Sequence, residues 1–201
     1  MLNPIKWLEL ELKRNVTRAI LDTEKNLQNK KKREQKRLRE GRNHVIYYFH
    51  QVDDPYSHLC AQTLPLIAKT YDVEIKTFLV PSPTKEAAPE PDLLKSHSLE
   101  DAKIIAPHYG FTFPSVNELP NDKIIQMAQW AFLCMENQSF EDIIKIGDLL
   151  WNNDQSSIED LFSKSPNEEI VNDTLSKNSK LRKNFGHYLG GVFVYEGECY
   201  L

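Results

Sequence analysis

Tyr47-Tyr48-Phe49-His50-Gln51-Val52-Asp53-Asp54-Pro55-Tyr56-Ser57-His58-Leu59 reads as a strand handing over to a helix. On its N-terminal side, His44–His50 is dense in β-branched and aromatic residues and short enough for a buried strand. Gln51–Asp54 forms a turn, and Pro55 suits the first position of a helix. Leu59, Leu64, Ile67 and Ala68 carry that helix to about Thr70, with a kink expected at Pro65. Val73–Val80 alternates and then runs apolar, which predicts a second strand. Strand, helix and strand at this length make a βαβ unit with parallel strands and a right-handed crossover. The junction itself offers unpaired N–H groups and a partial positive charge, the physical makings of an anion or thiolate site.

Further along, Pro81 to Pro91 is proline-rich and reads as an irregular loop. Helical segments are expected over Ser98–Tyr109, Asn121–Glu136, Phe140–Trp151, Ser156–Phe162 and Pro166–Leu175, the last started by Ser165-Pro166. Trp130, Phe132 and Leu133 sit in an apolar helix and are assigned to the core. After Gly190-Gly191, Val192–Tyr195 and Glu198–Leu201 flank Glu196-Gly197, which is a hairpin signature. The order βαβ, helices, ββ gives an α/β fold with a mixed sheet.

Toward the N-terminus, residues 3–40 read as one long helix or two abutting ones, with Ile5, Leu8, Leu12, Val16 and Ile20 on one face. Past Leu27 that stripe fades into Lys30-Lys31-Lys32-Arg33 and Lys36-Arg37-Leu38-Arg39, and Gly41 is the expected stop. The 201-residue chain has a net charge of −4, but residues 25–42 carry +7, leaving −11 elsewhere. The run reads first as a solvated helix face. Electrostatic attachment to RNA, DNA or an anionic membrane is the alternative, and because the run lacks the aromatics that single-strand binders interleave, a nucleic-acid partner is not the expected one. No run of apolar residues is long enough to span a bilayer, and Glu9 and Glu11 break the pattern of a secretory signal, so the expected setting is cytoplasmic. Cys60, Cys134 and Cys199 are too sparse for a disulfide framework or a zinc site and read as small hydrophobes. No metal site is expected, since among His50, Asp53, Asp54 and His58 only Asp54 and His58 share a helical spacing. His108 and His187 read as packed or hydrogen-bonded.

The segment Asp54-Pro55-Tyr56-Ser57-His58-Leu59 resembles the active-site turn of the DsbA-like thioredoxin-fold proteins. That group includes 2-hydroxychromene-2-carboxylate isomerases and kappa-class glutathione transferases. Its redox members carry Cys-Pro-x-Cys at this turn, and the isomerases and transferases typically carry Ser-Pro-Tyr-Ser. Phe185–Glu198 is similar to the group's approach to its last hairpin. The resemblance implies a thioredoxin-like domain over 43–201, with an inserted helical subdomain at about 98–187 and an N-terminal helical arm over 1–42. The group's final helix would follow Leu201, so either the sequence is a fragment or another element, such as the N-terminal helix, is expected to cover that face of the sheet; Gly191 stands where the group places a cis-proline.

The resemblance implies a site in which Asp54 and Ser57 do the chemistry and Pro55, Tyr56, Gly191 and Val192 bind the ligand. Dithiol exchange needs an attacking thiolate and a resolving thiol, and Asp54 and Ser57 stand in those two places. The implied cofactor is glutathione or another thiol compound, and an enzyme of this kind would be a glutathione-dependent isomerase or transferase. Its helical insertion would roof a cleft for a hydrophobic substrate. The alternative is a non-catalytic binding or scaffold protein on the same fold, with the N-terminal helix as a protein-contact surface. Asp54-Pro55 is also accounted for as an N-cap followed by a first-turn proline, a purely structural role.

Overall fold

The computed structural model describes Lys13 and residues 23–115, 118–135, 139–162 and 167–201, which fall into two compact units, Met1–Asn43 and His44–Leu201. In the first unit, α1 spans Thr23–Arg39, and Arg37 closes its end by donating to Glu34 and to the Arg42 carbonyl. The part of the expected N-terminal helix before Thr23 lies outside the described residues, Lys13 excepted.

The second unit begins with β1 (Val45–His50), α2 (Pro55–Ala61), α3 (Leu64–Thr70) and β2 (Glu74–Leu79). Helices α4 (Pro91–Ile105), α5 (Asp122–Cys134), α6 (Phe140–Trp151), α7 (Gln155–Glu159) and α8 (Glu168–Asn184) follow. The hairpin β3 (Val192–Tyr195) and β4 (Glu198–Tyr200) completes the order. The sheet runs β2-β1-β3-β4, with β1 parallel to β2 and antiparallel to β3. Its hairpin turns through Glu196 and Gly197, both at positive φ (46° and 80°), the conformation a two-residue turn needs to match strand twist.

Strand β1 is central, so both of its faces are covered. Tyr48 packs with Ile124, Phe132, Ile143, Ile146 and Leu150 from α5 and α6. Phe49 faces the other way with Val192 and Val194, against Leu181 and Phe185 at the end of α8. This two-sided burial explains why the strand reads as a nearly continuous apolar run. Among the described residues no helix is long and apolar enough to cross a membrane.

Three boundaries differ from the sequence reading. The kinked helix is two helices, because Thr63 and Gln62 close the first on the Cys60 and Leu59 carbonyls before Pro65. Helix α4 begins at Pro91 rather than Ser98, directly after the expected proline-rich loop, so its first two turns fall on residues the sequence reading left unassigned. Helix α8 extends to Asn184 and is capped by the Asn167 side chain on Ile170 N–H, while Ser165-Pro166 lies outside the described residues.

Candidate functional site

Asp54 caps α2, with Pro55 as the first helical residue. The Ser57 N–H and hydroxyl both donate to Asp54 Oδ2, at 2.9 and 2.7 Å. Ser57 Oγ also accepts from the Gln51 N–H at 3.3 Å. Beneath this turn the Tyr48 hydroxyl donates to the Ser57 carbonyl at 2.6 Å, fixing the first turn of α2 to β1. That hydroxyl therefore accepts from His50 Nδ1, 3.0 Å away, which places the proton of His50 on Nδ1. His50 stacks on Phe132 and is buried, and desolvation together with the nearby His58 pushes its pKa down to about 3. It is a neutral core histidine.

The adjacent carboxylates diverge. Asp53 accepts from Gln51 Nε2 at 3.1 Å and Ser82 Oγ at 2.7 Å, and lies 3.4 Å from Lys95 Nζ. It thus ties the turn to the loop after β2 and to α4. Asp54 is only partly exposed by area yet densely surrounded by protein. Burial raises its pKa to about 6, and the Ser57 hydrogen bonds oppose that rise without cancelling it.

Asp54 forms part of the wall of a cleft of about 600 Å³. One side is Pro55, Tyr56, Leu59 and Cys60 of α2; the facing side is Pro91, Leu94 and Ser98 of α4, continued by Ile105, Tyr109 and Phe111. Ser82-Pro83 and Leu189–Gly191 close its ends. The Tyr56 hydroxyl donates to Asp101 Oδ2 at 2.7 Å and so pins α4 across from α2. Behind the end loops, buried Arg182 of α8 donates to the carbonyls of Leu189 (2.9 Å) and Pro81 (3.2 Å). Burial lowers its pKa to about 10.

Of the residues read from the sequence, the cleft gathers Asp54, Pro55, Tyr56 and Gly191. Ser57 and Val192 are fully buried outside its lining, so Ser57 acts on the cleft only through Asp54. Gly191 sits at φ +63°, a backbone conformation that favours glycine and that proline cannot adopt, although a Cβ there would meet Ser57 and Cys60 only in ordinary contact. Gly190 does not. A Cβ there would stand 2.5 Å from Ser57 Oγ and 3.1 Å from Asp54 Oδ2. Gly190, Lys95 and the α4 wall were missed in the sequence. Glu90-Pro91-Asp92, a proline at the first helical position followed by an acid, was the available signal for α4.

The histidines follow their surroundings. His187 Nδ1 accepts from the Leu189 N–H at 3.3 Å, whereas His108 is exposed rather than packed. His58 is buried, with Nε2 3.1 Å from Asp148 Oδ1, and points away from Asp54. Among the described residues, no three His, Cys, Asp or Glu side chains are placed to hold a metal ion. Cys60 lines the cleft, but burial and then Asp54 raise its thiol to about 12, so it is not a thiolate at neutral pH. Its alkylation by iodoacetamide is expected to run at least tenfold slower than that of a free thiol at neutral pH, as read by mass spectrometry of the Cys60 peptide.

A solved structure of a candidate protein disulfide isomerase from Nitrosomonas europaea is similar in fold, with a TM-score of 0.51 and 14% identity. The alignment covers 79% of this chain and 88% of that one. The fold is that of the DsbA-like thioredoxin-fold proteins. A 2-hydroxychromene-2-carboxylate isomerase is also similar, with a TM-score of 0.49 and 14% identity over 78% of this chain and 87% of that one. No family model matches the chain, and no curated protein matches it. In this DsbA-like fold the helical stretch between β2 and β3 supplies the far wall of the cleft through α4.

Proposed function

We propose that the protein binds a small thiol compound, glutathione or a similar molecule, with its sulfur at Asp54 and its carbon skeleton along Leu59, Leu94, Ile105 and Phe111. The observation that carries this reading is a cleft of about 600 Å³ that reaches a half-buried carboxylate at a helix N-terminus. A carboxylate accepts a hydrogen bond from a neutral S–H and repels a thiolate. The bound species is therefore the thiol. Asp54 can take the S–H proton as the sulfur adds to an electron-poor carbon–carbon double bond of a second, apolar molecule in the same cleft, whose π pair moves onto its conjugated carbonyl and takes the proton back, which is isomerase or addition-type transferase chemistry. Dithiol exchange does not fit, because Asp54 and Ser57 stand where the redox members carry cysteines and Cys60 is held as a thiol.

The pH dependence follows from the two groups. Asp54 is ionised above about 6, and a free thiol ionises near about 8.5. Calorimetric affinity for reduced glutathione is expected to peak between those values and fall on both sides. In Asp54→Asn the acid limb disappears and peak affinity drops about tenfold. Affinity that climbs steadily above the thiol's pKa, or that ignores Asp54→Asn, contradicts the reading.

One observation favours a second reading, a binding protein without catalysis: Asp54 and Ser57 satisfy each other as a helix cap, and Ser57 has no exposed surface. That reading expects no glutathione binding at any pH.

A further inference from the structure

Helix α1 holds the strongest charge feature that the cleft does not use. Lys25, Lys32, Lys36 and Arg39 are separated by 7, 4 and 3 residues and are all exposed. At about 100° per residue they fall within an arc of about 60°, spread along about 21 Å of helix. The acids of the helix lie off that arc: Glu34 is on the far side and engages Arg37, and Glu24 is about 60° beyond its edge. Lys36 has one long contact, 3.8 Å to Glu40, an exposed pair of the kind that contributes little.

We propose that this stripe docks on the phosphodiester backbone of a nucleic-acid duplex. A row of cations with no acid between them matches a row of phosphates, and the exposed Gln28 and Gln35 beside it can donate further hydrogen bonds. The charge is local. The rest of the chain carries a net −11 and would repel a polyanion. Two absences within α1 select the partner. It has no aromatic residue on which unpaired bases could stack, which argues against a single strand. Its exposed leucines, Leu27 and Leu38, project about 100–120° beyond the stripe's edge, so the cationic face has no apolar row to enter a lipid surface. The sequence alone showed a basic run; its alignment on one exposed face, with Glu40 at its end, comes from the helix.

The test is fluorescence anisotropy of the full chain with a labelled DNA duplex of about 20 base pairs, with NaCl varied from about 50 to 200 mM. Four phosphate contacts predict a log–log slope near about −3.6, an affinity loss of about 100-fold across that range. Lys25→Gln/Lys32→Gln/Lys36→Gln/Arg39→Gln should abolish binding while leaving the helical circular dichroism unchanged, since glutamine is a good helix former. Lys69→Gln/Lys76→Gln/Lys85→Gln/Lys145→Gln removes the same charge from exposed sites in the second unit and should bind as the unaltered chain does. Equal losses in the two variants would overturn the proposal, because net charge alone would then govern binding. Tighter binding to a single strand of the same length would overturn it too. So would binding to phosphatidylserine vesicles without binding to the duplex.

Discussion

Gly147→Ala is expected to destabilise the protein by about 2–3 kcal/mol, although the same change within most helices stabilises by about 1 kcal/mol. The reversal comes from a single contact. A Cβ at residue 147 in α6 would stand 2.2 Å from His58 Nδ1 and 2.8 Å from its Cε1. The imidazole has nowhere to go: it is 1% exposed, its Nε2 is held by Asp148, and its edge meets the ring of Phe113. Either α6 or α2 must move, and α2 is the helix that carries Asp54 and one wall of the cleft. Urea unfolding should show the midpoint falling, with a loss in Tm of roughly 4–12 °C. Adding His58→Ser to Gly147→Ala should recover part of the loss, because the clash is with the ring itself. A stabilised Gly147→Ala protein would show that His58 is not locked against α6.

Asp54→Asn is expected to have the opposite sign. Burial holds the Asp54 carboxyl near 6, above its usual 3.8. A carboxyl whose pKa is raised in the folded state contributes stability that is fully present below the unfolded value. That contribution is lost as pH rises through the folded value. At neutral pH the ionised group is therefore a net burden on the fold. The shift sets a ceiling of about 3 kcal/mol, and partial exposure to cleft water reduces the expected effect to about 1–2 kcal/mol. Asparagine remains a good N-cap and can still accept from Ser57, so the capping interaction survives. Thermal unfolding at about pH 7 should show Asp54→Asn more stable, with the difference closing as pH falls through 6 toward 4. A variant that is less stable at neutral pH would mean that the helix terminus and Ser57 fully compensate the charge. A residue that costs stability while facing a cleft has the signature of a site kept for binding or chemistry.

Local signals carried much of this structure. His44–His50 showed its strand through composition, Asp54-Pro55 showed its cap, and Glu196-Gly197 between Val192–Tyr195 and Glu198–Leu201 showed its hairpin. Each depends on neighbours within a few residues. Helix α4 was half hidden because the prolines before it outweighed the start signal at Glu90-Pro91-Asp92. The site was legible only up to the turn. That Gly190 must lack a side chain beside Ser57 and Asp54, and that Gly147 makes room for His58, are contacts across long stretches of chain. No periodicity or spacing announces them. Nor does composition separate Asp53 from Asp54. Both line the cleft, and their difference, one carboxylate held by Ser82 and Lys95 and the other by Ser57 at the helix terminus, is made by the loop after β2, α4 and the first turn of α2.

The most direct measurement of the account is a titration with reduced glutathione at neutral pH, followed through backbone amide shifts in NMR spectra of the folded chain. Saturable shifts confined to residues 51–60, the α4 face around Leu94 and Ser98, and Leu189–Gly191, and lost in Asp54→Asn, are the predicted result. An absence of shifts at millimolar ligand, or shifts that map away from the cleft, would contradict it.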